Sequence, residues 1–154
     1  MDHYMKTTEI YKLDGKNTDS IPLPHDCVIK DIREDDDYLI IDFEDDISYH
    51  DSIEAIHPEA QTLTMRFHLE YGGLTGIYQY RKTKHHEGYM HVKSLRKLMK
   101  ECNHNFTYLY HYVAYHQIIV ELCANNSILL TLNADALEYE WSQKKQLYET
   151  GHSL

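Results

Sequence analysis

The stretch FTYLYHYVAYHQIIVELCANNSILLTL, residues 106–132, is the most apolar part of this 154-residue chain. From Phe106 onward, every second residue is aromatic, aliphatic or histidine for seventeen positions. Period two is typical of a β-strand, because successive side chains point to opposite faces of a sheet. Since seventeen residues is long for one strand, we expect a bend or bulge near residues 114–116. The asparagines at 125–126 tolerate tight-turn backbone, which predicts a hairpin over residues 117–132.

A near-repeat precedes this stretch and predicts two more hairpins. The segments His25–Phe43 and His50–Phe67 each open on His-Asp and continue through an isoleucine-containing strand, a polar turn and an alternating strand. The predicted turns lie around Glu34–Asp37 and His57–Gln61. Gene duplication and simple repetition of strand architecture both explain two copies at this divergence.

One helix is predicted near residues 92–102, where apolar residues recur at helical spacing with Lys and Arg opposite them. Short alternating segments around TTEIYKL, GIYQYRKT and ALEYEW predict further strands. The fold class expected is therefore α+β, mostly β: an antiparallel sheet of successive hairpins, with six to nine strands and one helix. The length suits a single domain over residues 1–154, with residues 1–20 and 143–154 peripheral or frayed.

The composition indicates which classes of partner and which cellular compartment to expect. A net charge of −10 argues against nucleic acid, whose binding depends on Lys and Arg, and is compatible with a basic protein partner. No stretch approaches the length of a membrane span, and the first residues lack a signal-peptide pattern. Three cysteines that form no CxxC pair are typical of free thiols in a reducing cytoplasm. We therefore expect a cytoplasmic protein without nucleic-acid or membrane partners.

No catalytic motif is visible, so the sequence favours a protein without enzymatic activity, catalytic residues or cofactor. Cys27 beside His25 and Asp26 raises the hypothesis of an activated thiol. Twelve histidines raise the alternative of a metal-binding protein or metal-dependent enzyme. Its candidate ligands are His85, His86 and His91, which lie close together in sequence.

Acidic residues form the candidate partner-binding set. They are Glu34, Asp35, Asp36, Asp37, Glu44, Asp45 and Asp46. One reading is a solvated turn and a sheet edge protected by charge. A second reading is an electronegative surface for a basic partner. A third is calcium binding, although the spacing does not match the EF-hand loop.

The pattern LPHDCxIxxI…DxLIIxF, from Leu23 to Phe43, resembles a class of small β-rich bacterial proteins, and the resemblance covers about residues 21–70. Some similar acidic domains are immunity proteins that act beside polymorphic toxins. The resemblance implies a non-enzymatic, protein-binding module and no catalytic residues. The fourteen tyrosines combine an apolar ring with a polar tip, which favours half-buried strand positions and also suits an interaction surface. A homodimer through a sheet edge or a tyrosine-rich face is a further hypothesis.

Overall fold

The structure, a computed structural model, describes residues 4–16, 18–103 and 105–144. Within these ranges it is mostly β, with eight antiparallel strands and few helical residues, as the sequence predicts. The strands are β1 Tyr4–Lys12, β2 Val28–Asp35, β3 Tyr38–Phe43, β4 Ala60–Lys82, β5 Glu87–His91, β6 Phe106–Ala114, β7 Gln117–Ala124 and β8 Asn126–Lys144. The helices are α1 Asp51–Glu54, α2 Leu95–Glu101 and single 3-10 turns at Thr18–Ser20 and Ile47–Tyr49.

Six of the strands pair in a closed ring, in the order β2, β3, β4, β8, β7, β6 and back to β2. The ring closes because β4 and β8 are long and pair with each other from Ala60 opposite Gln143 to Gln79 opposite Ile128. β1 pairs with β8 beyond the end of β7, and β5 pairs with β4 beyond the end of β3. Closure pairs most of the backbone hydrogen-bonding groups that an open sheet would expose.

The inward side chains of the ring form one apolar core. β8 supplies the largest share, at Ile128, Leu130, Leu132, Ala134, Leu137, Tyr139 and Trp141. The predicted helix is confirmed as α2, which buries Leu95, Leu98 and Met99. Ser94 caps it by accepting a hydrogen bond from the Lys97 N–H at 3.1 Å. Among the described residues, no helix has the length and apolar character that crossing a membrane requires.

The central stretch is two strands and not one. The chain turns at Tyr115 and His116, where His116 adopts a φ of 55°, so β6 and β7 form a hairpin inside the predicted long strand. A bulge between Tyr108 and Tyr110 also interrupts the alternation. The predicted hairpin over residues 117–132 is present, and Asn125 occupies its turn with a φ of 75°.

The two copies of the near-repeat fold differently. The first is the predicted hairpin of β2 and β3, with its turn at Asp36. The second is not a hairpin, because His50 and Asp51 begin helix α1, and only the segment from Ala60 onward is a strand. α1 is held by the burial of Ile53, which tertiary packing provides. At the chain ends, Tyr4–Lys12 pairs with β8 along its whole length, and residues 145–154 lie outside the described residues.

Candidate functional site

The outer surface of the sheet carries a cluster of tyrosines that the sequence scatters over three segments. Strands β6, β7, β8, β4 and β5 lie side by side here. The outward positions include Tyr78 and Tyr80 on β4, Tyr89 on β5, and Tyr110 and Tyr112 on β6. These five residues are called the tyrosine face. Tyr110 lies opposite Glu121, and Tyr80 lies opposite Tyr89, so neighbouring strands present their side chains on the same side.

The tyrosine face is exposed although its residues are large. Tyr89, Tyr110 and Tyr112 retain 45%, 46% and 51% of their accessible surface, and Ile119 between them retains 38%. Isolated exposed apolar residues are ordinary, but a contiguous exposed aromatic patch is typical of an interaction surface. Tyrosine is also enriched at protein interfaces because its ring is apolar and its hydroxyl can bond.

A hydrogen-bonded chain joins the two sides of the tyrosine face through one carboxylate. The Tyr89 hydroxyl donates to Ser127 at 2.8 Å, and the Ser127 hydroxyl donates to Glu121 at 3.0 Å. The Tyr112 hydroxyl donates to the other Glu121 oxygen at 3.3 Å. Glu121 raises the pKa of Tyr112, so this hydroxyl keeps its proton at physiological pH. Glu121 is therefore an anchored negative charge among the tyrosines.

Ring contacts order the tyrosines further. The rings of Tyr110 and Tyr112 lie 5.0 Å apart, and those of Tyr80 and Tyr89 lie 5.5 Å apart. The Tyr78 ring lies so close over Gly76 that a Cβ there would approach it to 2.6 Å. Glycine is therefore required for this ring to lie against the β4 backbone.

The other half of the outer sheet surface is charged and internally paired. Arg66 on β4 donates to Glu138 at 2.9 Å and reaches Glu140 at 3.5 Å, and His68 lies 3.0 Å from Glu138. Arg33 on β2 donates to Asp42 on β3, and this hydrogen bond raises the pKa of Arg33. We call these six residues the charged face. Each of its charges already has an opposite partner within the chain.

The predicted acidic residues do not form one surface. Glu34, Asp35, Asp36 and Asp37 lie at the β2–β3 turn, whereas Glu44, Asp45 and Asp46 follow the far end of β3. β3 has six residues, so about 20 Å separates the two groups at a rise of roughly 3.3 Å per residue. All seven residues are exposed, and their role in binding a partner stays a prediction.

Two features of the fold explain part of this acidity. Asp36 and Asp46 have φ angles of 52° and 59°, a left-handed conformation that aspartate adopts more readily than most residues. Glu34 lines a depression of about 630 Å³ between β2 and α2, with Arg96 and Lys100 on the helix side. The hairpin tip therefore lies beside positive charge.

The three candidate metal ligands do not converge. His85 and His86 lie in the turn between β4 and β5, while His91 ends β5 and packs against Tyr78 with ring centroids 5.7 Å apart. β5 has five residues, so about 16 Å separates its ends at roughly 3.3 Å per residue. Within the described residues, no three His, Cys, Asp or Glu side chains come together in a way that could hold a metal ion.

The Cys27 thiol is the opposite of an activated nucleophile. It is fully buried, and burial, followed by the nearby Asp26 carboxylate, raises its pKa to about 12. His25 donates from Nδ1 to the Leu109 carbonyl at 2.6 Å, so this histidine satisfies backbone beside the strand start. The structure thus removes the physical basis for thiol catalysis here.

Sequence reasoning did not find the tyrosine face, although part of the signal was visible. Period two predicts that Tyr110 and Tyr112 lie on the same side of the strand as Phe106 and Tyr108. The bulge instead puts Tyr110 and Tyr112 on the opposite side, so they are exposed while Tyr108 is fully buried. The contribution of β4 and β5 depends on pairing between distant strands, which no local pattern reports.

Comparison with protein-family models, curated proteins and solved structures gives no match.

Proposed function

We propose that this chain is a non-enzymatic protein-binding module and that the tyrosine face is its binding surface. The observation that carries the proposal is that five tyrosines lie on one side of five neighbouring strands and that three of them, Tyr89, Tyr110 and Tyr112, are exposed. Tyrosine and arginine dominate the energetics of interfaces, and large ordered rings lose little entropy on binding. The resemblance to immunity proteins agrees with this function and stays a prediction.

The charge pattern favours a basic partner surface. Among the described residues, Glu121 has no ion-pair partner, whereas the nearby carboxylate of Glu87 pairs with Lys82 at 3.8 Å. An arginine or lysine of the partner can stack on a tyrosine ring and reach the Glu121 carboxylate. The chain carries a net charge of −10, which would speed the approach of a basic protein.

The test is capture of a partner and measurement of its affinity for matched variants. Wild-type protein and the double variant Tyr110→Ser/Tyr112→Ser are immobilised, and proteins retained from a lysate of the source cells are identified by mass spectrometry. A protein enriched only by wild type is then purified, and its Kd is measured. We expect at least a roughly 100-fold weaker Kd for the double variant, because central tyrosines are frequent hot spots.

The matched control is Arg66→Gln/Glu138→Gln on the charged face, which removes a pair of opposite charges and should change the Kd by less than about threefold. Glu121→Gln should weaken binding of a basic partner and reduce its salt dependence. Equal binding of wild type and the tyrosine variant would contradict the proposal. Charge reversal at Asp35–Asp37 measures separately whether the acidic hairpin tip contributes.

A further inference from the structure

Several strands have an edge without a strand neighbour over part or all of their length in the described chain, among them β1, β2, β5 and β6. Open edges are commonly protected by charged residues, because they can pair with another chain. β1, β2 and β5 all carry charged residues along their open edges. Residues Tyr110–Ala114 of β6 have the sequence YHYVA, which contains no Asp, Glu, Lys or Arg. This segment is called the open edge of β6.

The backbone of His111 and Val113 points to this open edge. The Ala134 N–H donates to the His116 carbonyl, so His116 and, by alternation along β7, Ile118 and Val120 direct their backbone groups to β8. The residues between them face β6 and bond to Tyr110, Tyr112 and Ala114. His111 and Val113 therefore present their N–H and C=O groups on the side of β6 that faces away from β7, where the described structure has no strand.

A trough of about 440 Å³ runs along the open edge. Its far wall is the segment Thr18–Leu23, which contributes Asp19, Ile21 and Leu23. This wall is fixed to the core, because the buried Tyr139 hydroxyl donates to the Pro22 carbonyl. The trough thus has a polar strand edge on one side and apolar side chains with one carboxylate on the other.

A buried histidine lines the trough with one nitrogen unpaired. His111 keeps only 8% of its accessible surface, and its Nδ1 lies 2.7 Å from the buried Tyr108 hydroxyl. Burial lowers the pKa of His111 to about 4, so the ring is neutral at physiological pH. If Tyr108 donates to Nδ1, the proton of the ring lies on Nε2, for which the described residues offer no acceptor. Buried donors of this kind normally have a partner.

We propose that the trough receives an extended segment of a partner protein, which pairs as an additional strand with the open edge of β6. The segment is uncharged and apolar where it faces Ile21 and Leu23, offers a carbonyl to His111 Nε2, and carries a basic side chain opposite Asp19. Strand addition gives affinity through backbone hydrogen bonds and specificity through side-chain pockets. The inference rests on the proposed function, because it specifies how the partner of the neighbouring tyrosine face is held.

The experiment is selection of random dodecapeptides displayed on phage against the purified chain, followed by affinity measurement with the enriched peptides as synthetic probes. We expect enriched sequences with alternating apolar residues and a terminal Lys or Arg. Val113→Pro removes one open-edge N–H and no bond to β7, and it should weaken these peptides at least about tenfold. Asp19→Lys, an exposed change that leaves the core intact, should abolish the preference for a basic terminus.

The matched control is Thr8→Pro on β1. Leu13 donates to Asp135, so alternation places the Thr8 N–H on the open edge of β1, and this variant should bind the peptides like wild type. No enriched peptide, or equal affinity for Val113→Pro and Thr8→Pro, would overturn the inference. A dimer of this chain that Val113→Pro dissociates would also overturn it, by naming a second copy as the occupant. If partner binding is lost in the Tyr110→Ser/Tyr112→Ser variant but not in Val113→Pro, the proposed function is supported and the added strand is contradicted.

Discussion

The charged face and the tyrosine face occupy the same sheet and use their side chains in opposite ways. On the charged face, Arg66 bonds to Glu138 and Glu140, and Ile40, which pairs with Arg33 and Arg66 across the sheet, is 5% exposed. On the tyrosine face, rings as large as Tyr110 and Tyr112 remain about half exposed. The first surface completes its interactions within the chain, and the second leaves apolar area to solvent.

The two surfaces contribute to different processes, folding in one case and binding in the other. Partly buried ion pairs with satisfied partners contribute to folding and offer little to another protein. Exposed, ordered tyrosines around the Glu121 carboxylate contribute little to folding and offer area, hydrogen bonds and charge to a partner. Substitutions in the charged face should therefore change stability, and substitutions in the tyrosine face should change binding.

The largest stability effect is expected directly behind the tyrosine face, at His111. Its pKa is about 4 in the folded chain and about 6.5 when unfolded, so between these pH values the unfolded state binds more protons. The free energy of unfolding is therefore highest above pH 6.5, where His111 is neutral in both states, and it decreases as the pH falls toward 4. Between pH 7 and pH 4.5, wild type should lose about 2–3 kcal/mol more than His111→Gln in urea unfolding.

The matched control is His86→Gln at an exposed position, whose urea unfolding is measured over the same pH range. An NMR titration of His111 gives an independent measurement. A His111 pKa near its ordinary value, or the same pH dependence in both variants, would contradict the prediction.

The charged face should show the next largest effect. Arg66→Ala leaves Glu138 and Glu140 facing each other at side-chain exposures of 19% and 28%. We expect a loss of about 1–2 kcal/mol in the free energy of unfolding, with partner affinity unchanged. Arg81→Ala breaks a pair with Glu101 in which both side chains are 44% exposed, and should cost less than about 0.5 kcal/mol. Equal losses for Arg66→Ala and Arg81→Ala in thermal unfolding would contradict a particular contribution of the charged face to stability.

The smallest effect is expected within the tyrosine face. Tyr89→Phe removes the hydroxyl that bonds to Ser127 on an exposed surface, and should change the free energy of unfolding by about 0.5 kcal/mol or less. Tyr71→Phe, at a fully exposed position on β4, should have no measurable effect. A loss above about 1 kcal/mol in denaturant unfolding of Tyr89→Phe would show that the tyrosine face is part of the stabilising structure.

The sequence predicted the strand-rich composition, helix α2 and two of the hairpins, because these depend on local signals. The apolar stripe from Val92 to Cys102 and the turn-tolerant Asn125 need no distant contact to be recognised. The candidate site was predicted less well, since the acidic residues of one hairpin lie at its opposite ends and the histidine candidates lie apart.

The amino-acid pattern alone was therefore enough to predict the class of fold and the chemistry of the surface: antiparallel strands, many tyrosines and a negative charge. Tertiary structure decided which side chains meet. The bulge after Tyr108 turns Tyr110 and Tyr112 outward, and the pairing of β4 with β8 brings Tyr78 and Tyr80 onto the same face. Both outcomes have one physical reason: a strand's periodicity is local, but a single shift in register changes every face that follows it.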